Sequence, residues 1–296
     1  MTAAMLIIMS ALKLSWDVHY FDEYYPDAPL NYTFRSEEMR PDYHRIEFTF
    51  EGVPGHPVPA VLAKPKGQEG PFPALIFLHG IGQNKKFLDE IAAPFVKENY
   101  IIVSFDQLMQ GERDLSEENY LAQGLAFRNR AAYTVIETRR LITLLEQRQD
   151  VIPDRIFLLG ASYGAITGST VAAFDHRLRG VCLCYGGGDI RKLVDSVEAQ
   201  KIIGPAMPLA QAIAAWYMGP ADPVRYVRKI SPTPVLFQNG RYDSIVPPAS
   251  SEALIAAARE PKDVIWYESD HVGLDREHVV TVLNDALEWI KAHDKN

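Results

Sequence analysis

Three short stretches of the chain carry residue types that could make and break an acyl bond. In FLLGASYGAI, residues 157–166, an apolar run stops at Gly160, Ser162 follows, and a helical pattern starts near Gly164. In a strand–turn–helix setting the flanking glycines let strand and helix approach without a side-chain clash, and the hydroxyl is pushed out at the strand end. A glycine-rich turn with a serine helix cap is the plainer reading of the same residues. A serine hydroxyl is a poor nucleophile without a base. His271, in SDHVGLD just beyond the apolar run VIWYES, has the best position of the eight histidines. The base in turn needs an acid that fixes its tautomer and stabilises its cation. Asp243, in NGRYDSIVP directly after PVLFQNG, suits that role. Asp270 is the runner-up, disfavoured because neighbouring side chains diverge. Charge developing on the attacked carbonyl oxygen needs backbone donors. Tyr163, next after the serine, can supply one amide. Ile81, between Gly80 and Gly82, can supply the other, with His79 bracing that loop.

These residues are far apart in sequence, so a scaffold must gather them. HRIEFTFE (44–51) and VPAVLAKP (58–65) alternate apolar and polar residues across a turn and predict a hairpin. Solid apolar runs follow at 74–80, 100–106, 155–160, 180–186, 234–240 and 263–269, as strands buried on both faces require. Helical patterns at 84–99, 126–149, 161–174, 248–260 and 273–293 separate them. The alternation predicts an α/β fold with a mostly parallel eight-stranded sheet and helices on both faces. Ligands in such sheets bind at the carboxyl ends of the strands, where every candidate residue falls. Residues 187–228 hold more helix than one crossover needs and predict a small helical cap. Residues 1–44 read as an N-terminal extension packing on a single domain of residues 45–296.

Composition narrows the partners. The formal charge of −8 repels phosphate backbones and anionic lipid, so neither nucleic acid nor a membrane is expected as a partner. The apolar run TAAMLIIMSAL is short for a bilayer span and has no basic residues before it. It predicts an N-terminal helix. Cys182 and Cys184 stand two apart in one strand, on one face, and read as small core residues rather than a disulfide. A cytoplasmic location is the expectation. The sequence is silent on assembly, with which a homodimer is compatible.

With HGIGQN (79–84), GASYG (160–164), GRYDSIVP (240–247) and DHVG (270–273) in this order, the chain resembles the α/β-hydrolase superfamily. More narrowly, it resembles the dienelactone-hydrolase and prolyl-oligopeptidase-like esterases, a group that includes acetyl-xylan-type esterases. FDQLMQGERD (105–114) is similar to that group's Asp-x-x-x-x-Gly turn. The resemblance implies Ser162 as nucleophile, Asp243 and His271 as its partners, Ile81 and Tyr163 as oxyanion donors, and neither metal nor organic cofactor. Dienelactone hydrolases proper carry a cysteine nucleophile, and prolyl oligopeptidases need a propeller domain for which this length leaves no room. The expected function is a serine carboxylic-ester hydrolase acting through an acyl-enzyme on small to medium acyl esters. Its pocket is expected to be lined by Ile81, Leu108, Met109, Tyr163 and Val246 and, from the cap, Met207, Trp216 and Tyr217. Two alternatives stand beside it. One is an amidase or short-peptide hydrolase with the same triad. The other is a non-catalytic ligand-binding homologue, although such proteins usually lose a triad member and all three are present here.

Overall fold

The computed structural model describes residues 13, 17, 20, 21, 23–272 and 275–294. The N-terminal apolar run lies outside the described residues. One sheet runs through the molecule, in the order β1-β2-β3-β5-β4-β6-β7-β8-β9. Its strands are β1 (Thr33–Met39), β2 (Tyr43–Glu51), β3 (Pro57–Pro65), β4 (Phe72–Leu78), β5 (Ile101–Phe105), β6 (Val151–Ala161), β7 (Gly180–Cys184), β8 (Val235–Gly240) and β9 (Lys262–Tyr267). The pairs β1–β2, β2–β3 and β3–β5 are antiparallel, and all pairs from β5–β4 to β8–β9 are parallel.

Eight of the strands are those expected; the ninth, β1, corrects the count. The supposed boundary at residue 44 falls inside the pairing of β1 with β2, where Met39 faces His44. The later part of the N-terminal extension is therefore an edge strand of the sheet.

Helices cover both faces. They are α1 (Leu88–Lys97), α2 (Tyr120–Glu146), α3 (Tyr163–Phe174), α4 (Ile190–Leu193), α5 (Val197–Ile203), α6 (Met207–Met218), α7 (Pro248–Ala257) and α8 (Arg276–Asp294). Strand side chains alternate between two cores, as a period of two requires. Ile76, Leu78, Leu158, Val181 and Leu183 join residues of α2, α3 and α7 in one core. Leu75, Phe77, Phe157, Leu159, Cys182 and Cys184 join residues of α1 and α8 in the other. Both cysteines are buried, free and on the same face. Burial pushes the Cys184 thiol up to about 12, so it stays protonated. Among the described residues, no helix is long and apolar enough to cross a membrane.

The expected cap is present as α4, α5 and α6 with short 3₁₀ turns between β7 and β8. It leans on the N-terminal end of α2, where the Tyr217 hydroxyl donates to the Gly124 carbonyl (2.7 Å). From β4 the chain moves one way in the sheet to β5 and then the other way to β6. That reversal opens a crevice at the carboxyl ends of β4 and β6.

Candidate active site

Ser162 sits where β6 ends and α3 begins, with φ 54° and ψ −117°. A non-glycine residue held there is strained, and strain of this kind persists only where the surroundings impose it. The imposing contacts are visible. The Ser162 amide donates to the Cys184 carbonyl (2.8 Å), and the Ser162 carbonyl accepts from the amides of Ala165 (2.9 Å) and Ile166 (3.1 Å). The glycines leave no room for anything larger. A Cβ on Gly164 would lie 1.9 Å from the Leu78 carbonyl oxygen, and one on Gly160 would lie 2.3 Å from that of Gly164.

The three expected side chains converge. His271 Nε2 is 3.0 Å from Ser162 Oγ, and its Nδ1 is 2.7 Å from Asp243 Oδ2. Asp243 and His271 are both buried. Asp243 Oδ1 accepts from the amides of Ile245 (2.9 Å) and Val246 (2.7 Å), which fixes the plane of the carboxylate. Because a carboxylate can only accept, Nδ1 carries the proton and the Nε2 lone pair faces the serine hydroxyl.

Asp270 does something else. Its Oδ1 accepts from the Ser244 amide (2.8 Å), the Ser244 hydroxyl (2.8 Å) and the His271 amide (2.7 Å). The Ser244 amide leads the donors that hold its carboxyl below the usual carboxylate range. It ties the Asp243 turn to the His271 loop.

In the loop after β4, the amides beside Ile81 are occupied. Gly80 N–H donates to Gln83 Oε1 and Gly82 N–H to Gln110 Oε1, each at 3.0 Å. No partner of the Ile81 amide is found among the described residues, nor of the Tyr163 amide at the start of α3. Gln107 Nε2 donates to the His79 carbonyl (2.8 Å), and the buried His79 ring lies between the carbonyls of Gly80 (3.0 Å) and Phe105 (3.1 Å). These three glutamines brace the loop and were not anticipated from the sequence; amide side chains in loops carry no pattern of their own.

A second brace was also missed. The Tyr185 hydroxyl meets Ser269 Oγ (2.7 Å) and His278 Nε2, and the Tyr185 ring stands edge-on to His271 with centroids 5.7 Å apart. It joins the ends of β7 and β9 to α8 behind the imidazole.

The cavity nearest Ser162 has a lining that differs from the expected pocket. A cavity of about 400 Å³ opens beside Ser162, Gly80, Ile81 and His271 and runs between α1 and α8. Ile81 is the one expected pocket residue that lines it. Leu108 and Met109 lie in the turn after β5, where the Met109 amide donates to the Arg113 carbonyl (3.1 Å). Val246 is buried behind Asp243. Met207, Trp216 and Tyr217 belong to the cap, whose Met218 and Ala221 pack on the α2–α3 side of the sheet. The cavity lies on the other side. Tyr163 is absent from the lining, and its ring is buried under the Arg130 guanidinium at 4.3 Å.

Comparison with known proteins agrees with this architecture. Residues 19–187 match the acetyl xylan esterase (AXE1) family. That stretch contains the Ile81 loop and Ser162 and ends before Asp243 and His271. The protein YfhR of Salmonella typhimurium is 27% identical over 240 residues, covering 78% of this chain and 74% of its own length. Acetyl xylan esterase from Paenibacillus sp. R4 superposes with a TM-score of 0.74 at 18% identity, covering 95% of this chain and 93% of the other. Acetyl xylan esterase 1 from Thermoanaerobacterium sp. JW/SL YS485 does so at 0.66 and 22% identity, covering 92% and 93%.

Proposed function

The chain belongs to the acetyl xylan esterase family and is a carboxylic-ester hydrolase of the α/β-hydrolase fold; from that premise we propose that Ser162 is its nucleophile and that it works through an acyl-enzyme. The observation that carries the reading is the unbroken relay from Ser162 Oγ to His271 Nε2 (3.0 Å) and from Nδ1 to Asp243 (2.7 Å).

As Ser162 Oγ attacks the ester carbon, His271 Nε2 takes its proton, and Asp243 steadies the imidazolium. The carbonyl oxygen gains charge and turns toward the unoccupied amides of Ile81 and Tyr163. His271 then protonates the departing alkoxide, leaving an acyl group on Ser162. A water activated by His271 releases the acid and restores the serine. Loss of one oxyanion donor in hydrolases of this type costs about 3–4 kcal/mol, which is why the glutamine clamps around Ile81 matter.

The test is p-nitrophenyl acetate turnover. Ser162→Ala is expected to lower kcat by at least about 10³-fold with the fold intact by circular dichroism. Full activity in that variant would remove Ser162 from the mechanism.

A further inference from the structure

The cavity beside the triad is built for hydrocarbon. Its floor is the sheet: Phe77 from β4, Leu159 and Ala161 from β6, and Cys184 from β7 all point to the same face. Phe87 and Ile91, four apart, close one side at α1. Val279, Val282 and Leu283, three and four apart, close the other at α8. The wall carries few polar side chains, and several of their atoms are engaged. Gln83 Oε1 accepts from the Gly80 amide, and the Cys184 thiol donates to Gln238 Oε1 (3.0 Å). A sugar seated here would leave its hydroxyls largely unpaired, at a cost that a hydrocarbon avoids.

Size points the same way. The cavity holds about 400 Å³. An acetyl methyl needs a space on the order of one water's ~30 Å³. An apolar cleft of this size beside the reacting atom is suited to a hydrocarbon chain.

We propose that the cavity between α1 and α8 receives the acyl chain of the ester, and that this protein prefers straight acyl chains of roughly four to eight carbons over acetyl. The inference rests on Ser162 being the nucleophile. The acyl side is assigned because Ser162 itself lines the cavity, and its Oγ is the atom to which the acyl group stays bonded after the alcohol has left. A chain held there remains seated through both halves of the reaction. The alcohol is left to the solvent-facing side, where water must later enter.

The experiment uses the full chain and two ester series. The first is p-nitrophenyl acetate, butyrate, hexanoate and octanoate. The second is the acetate esters of ethanol, butanol and hexanol, followed by acid release. Each buried methylene is worth about fourfold in binding, so kcat/KM is expected to rise at least about tenfold from acetate to hexanoate. The alcohol series is expected to stay within about threefold. Acetate as the best acyl group, or a gain confined to the alcohol series, would overturn the proposal. Val279→Trp and Leu283→Phe, made separately to fill the α8 wall, should each lower the hexanoate-to-acetate ratio by about tenfold. An unchanged ratio in folded protein would also overturn it, and the wild-type series decides even where a variant does not fold. Failure of the underlying serine reading looks different: every ester would then still be turned over by Ser162→Ala.

Discussion

Asp243 and Asp270 both lie close to His271, yet the hydrogen bonds divide their work. Asp243 faces Nδ1 of the ring, whereas Asp270 accepts from the backbone amide of the same residue. Asp243→Asn should lower kcat for p-nitrophenyl acetate by about 10⁴-fold, because an amide nitrogen can present a donor to Nδ1 and favour the wrong tautomer. Asp270→Ala loosens the turn without removing the acid, and should cost about tenfold. Steady-state kinetics on the two variants checks both values, and the opposite ranking would transfer the acid role to Asp270. The meeting of Ser162, Asp243 and His271 was legible in the sequence because each sits just after an apolar strand run, and their order along the chain left little choice. The cavity was not. Val279, Val282 and Leu283 look like the apolar face of any surface helix, and a pocket is set by what fails to fill the space between two helices distant in sequence.

At the scale of elements, the elbow between β6 and α3 is the most constrained junction. Gly164→Ala would force a Cβ to 1.9 Å from the Leu78 carbonyl oxygen of β4. Backbone must move to relieve that clash, so the loss should reach at least about 3 kcal/mol, or roughly 6 °C or more in Tm. Scanning fluorimetry measures it, and an unchanged Tm would mean that β4 and α3 do not approach as closely as described. The buried strands could be read from their unbroken apolar runs. β1 could not: all seven residues of TFRSEEM are exposed, and backbone pairing with β2, helped by exposed ion pairs of Glu37 and Arg35, leaves no apolar side-chain pattern. The cap segment was placed correctly between β7 and β8, but which face it covers depends on contacts with α2 that no local pattern reveals.

The molecule as a whole should become less stable as pH falls below neutral, and His79 contributes to that. Burial holds its imidazole below the ordinary value of 6.5, against the opposing pull of the Gly80 carbonyl, the Asp106 carboxylate and the Phe105 carbonyl. The unfolded chain therefore takes up this proton first. The contribution is complete above 6.5 and is lost as pH falls from there through the lower folded value. Tm recorded between about pH 7.5 and 5.5 should fall in the natural protein and fall less steeply in His79→Gln; equal slopes would remove His79 from the account. The central claim is that one serine, raised at the end of β6, is activated by a relay assembled from three distant parts of the chain. A fluorophosphonate probe followed by peptide mass spectrometry tests it most directly. The account predicts one adduct, on Ser162, that forms far more slowly in His271→Ala; an active enzyme labelled at another residue, or not labelled at all, would contradict it.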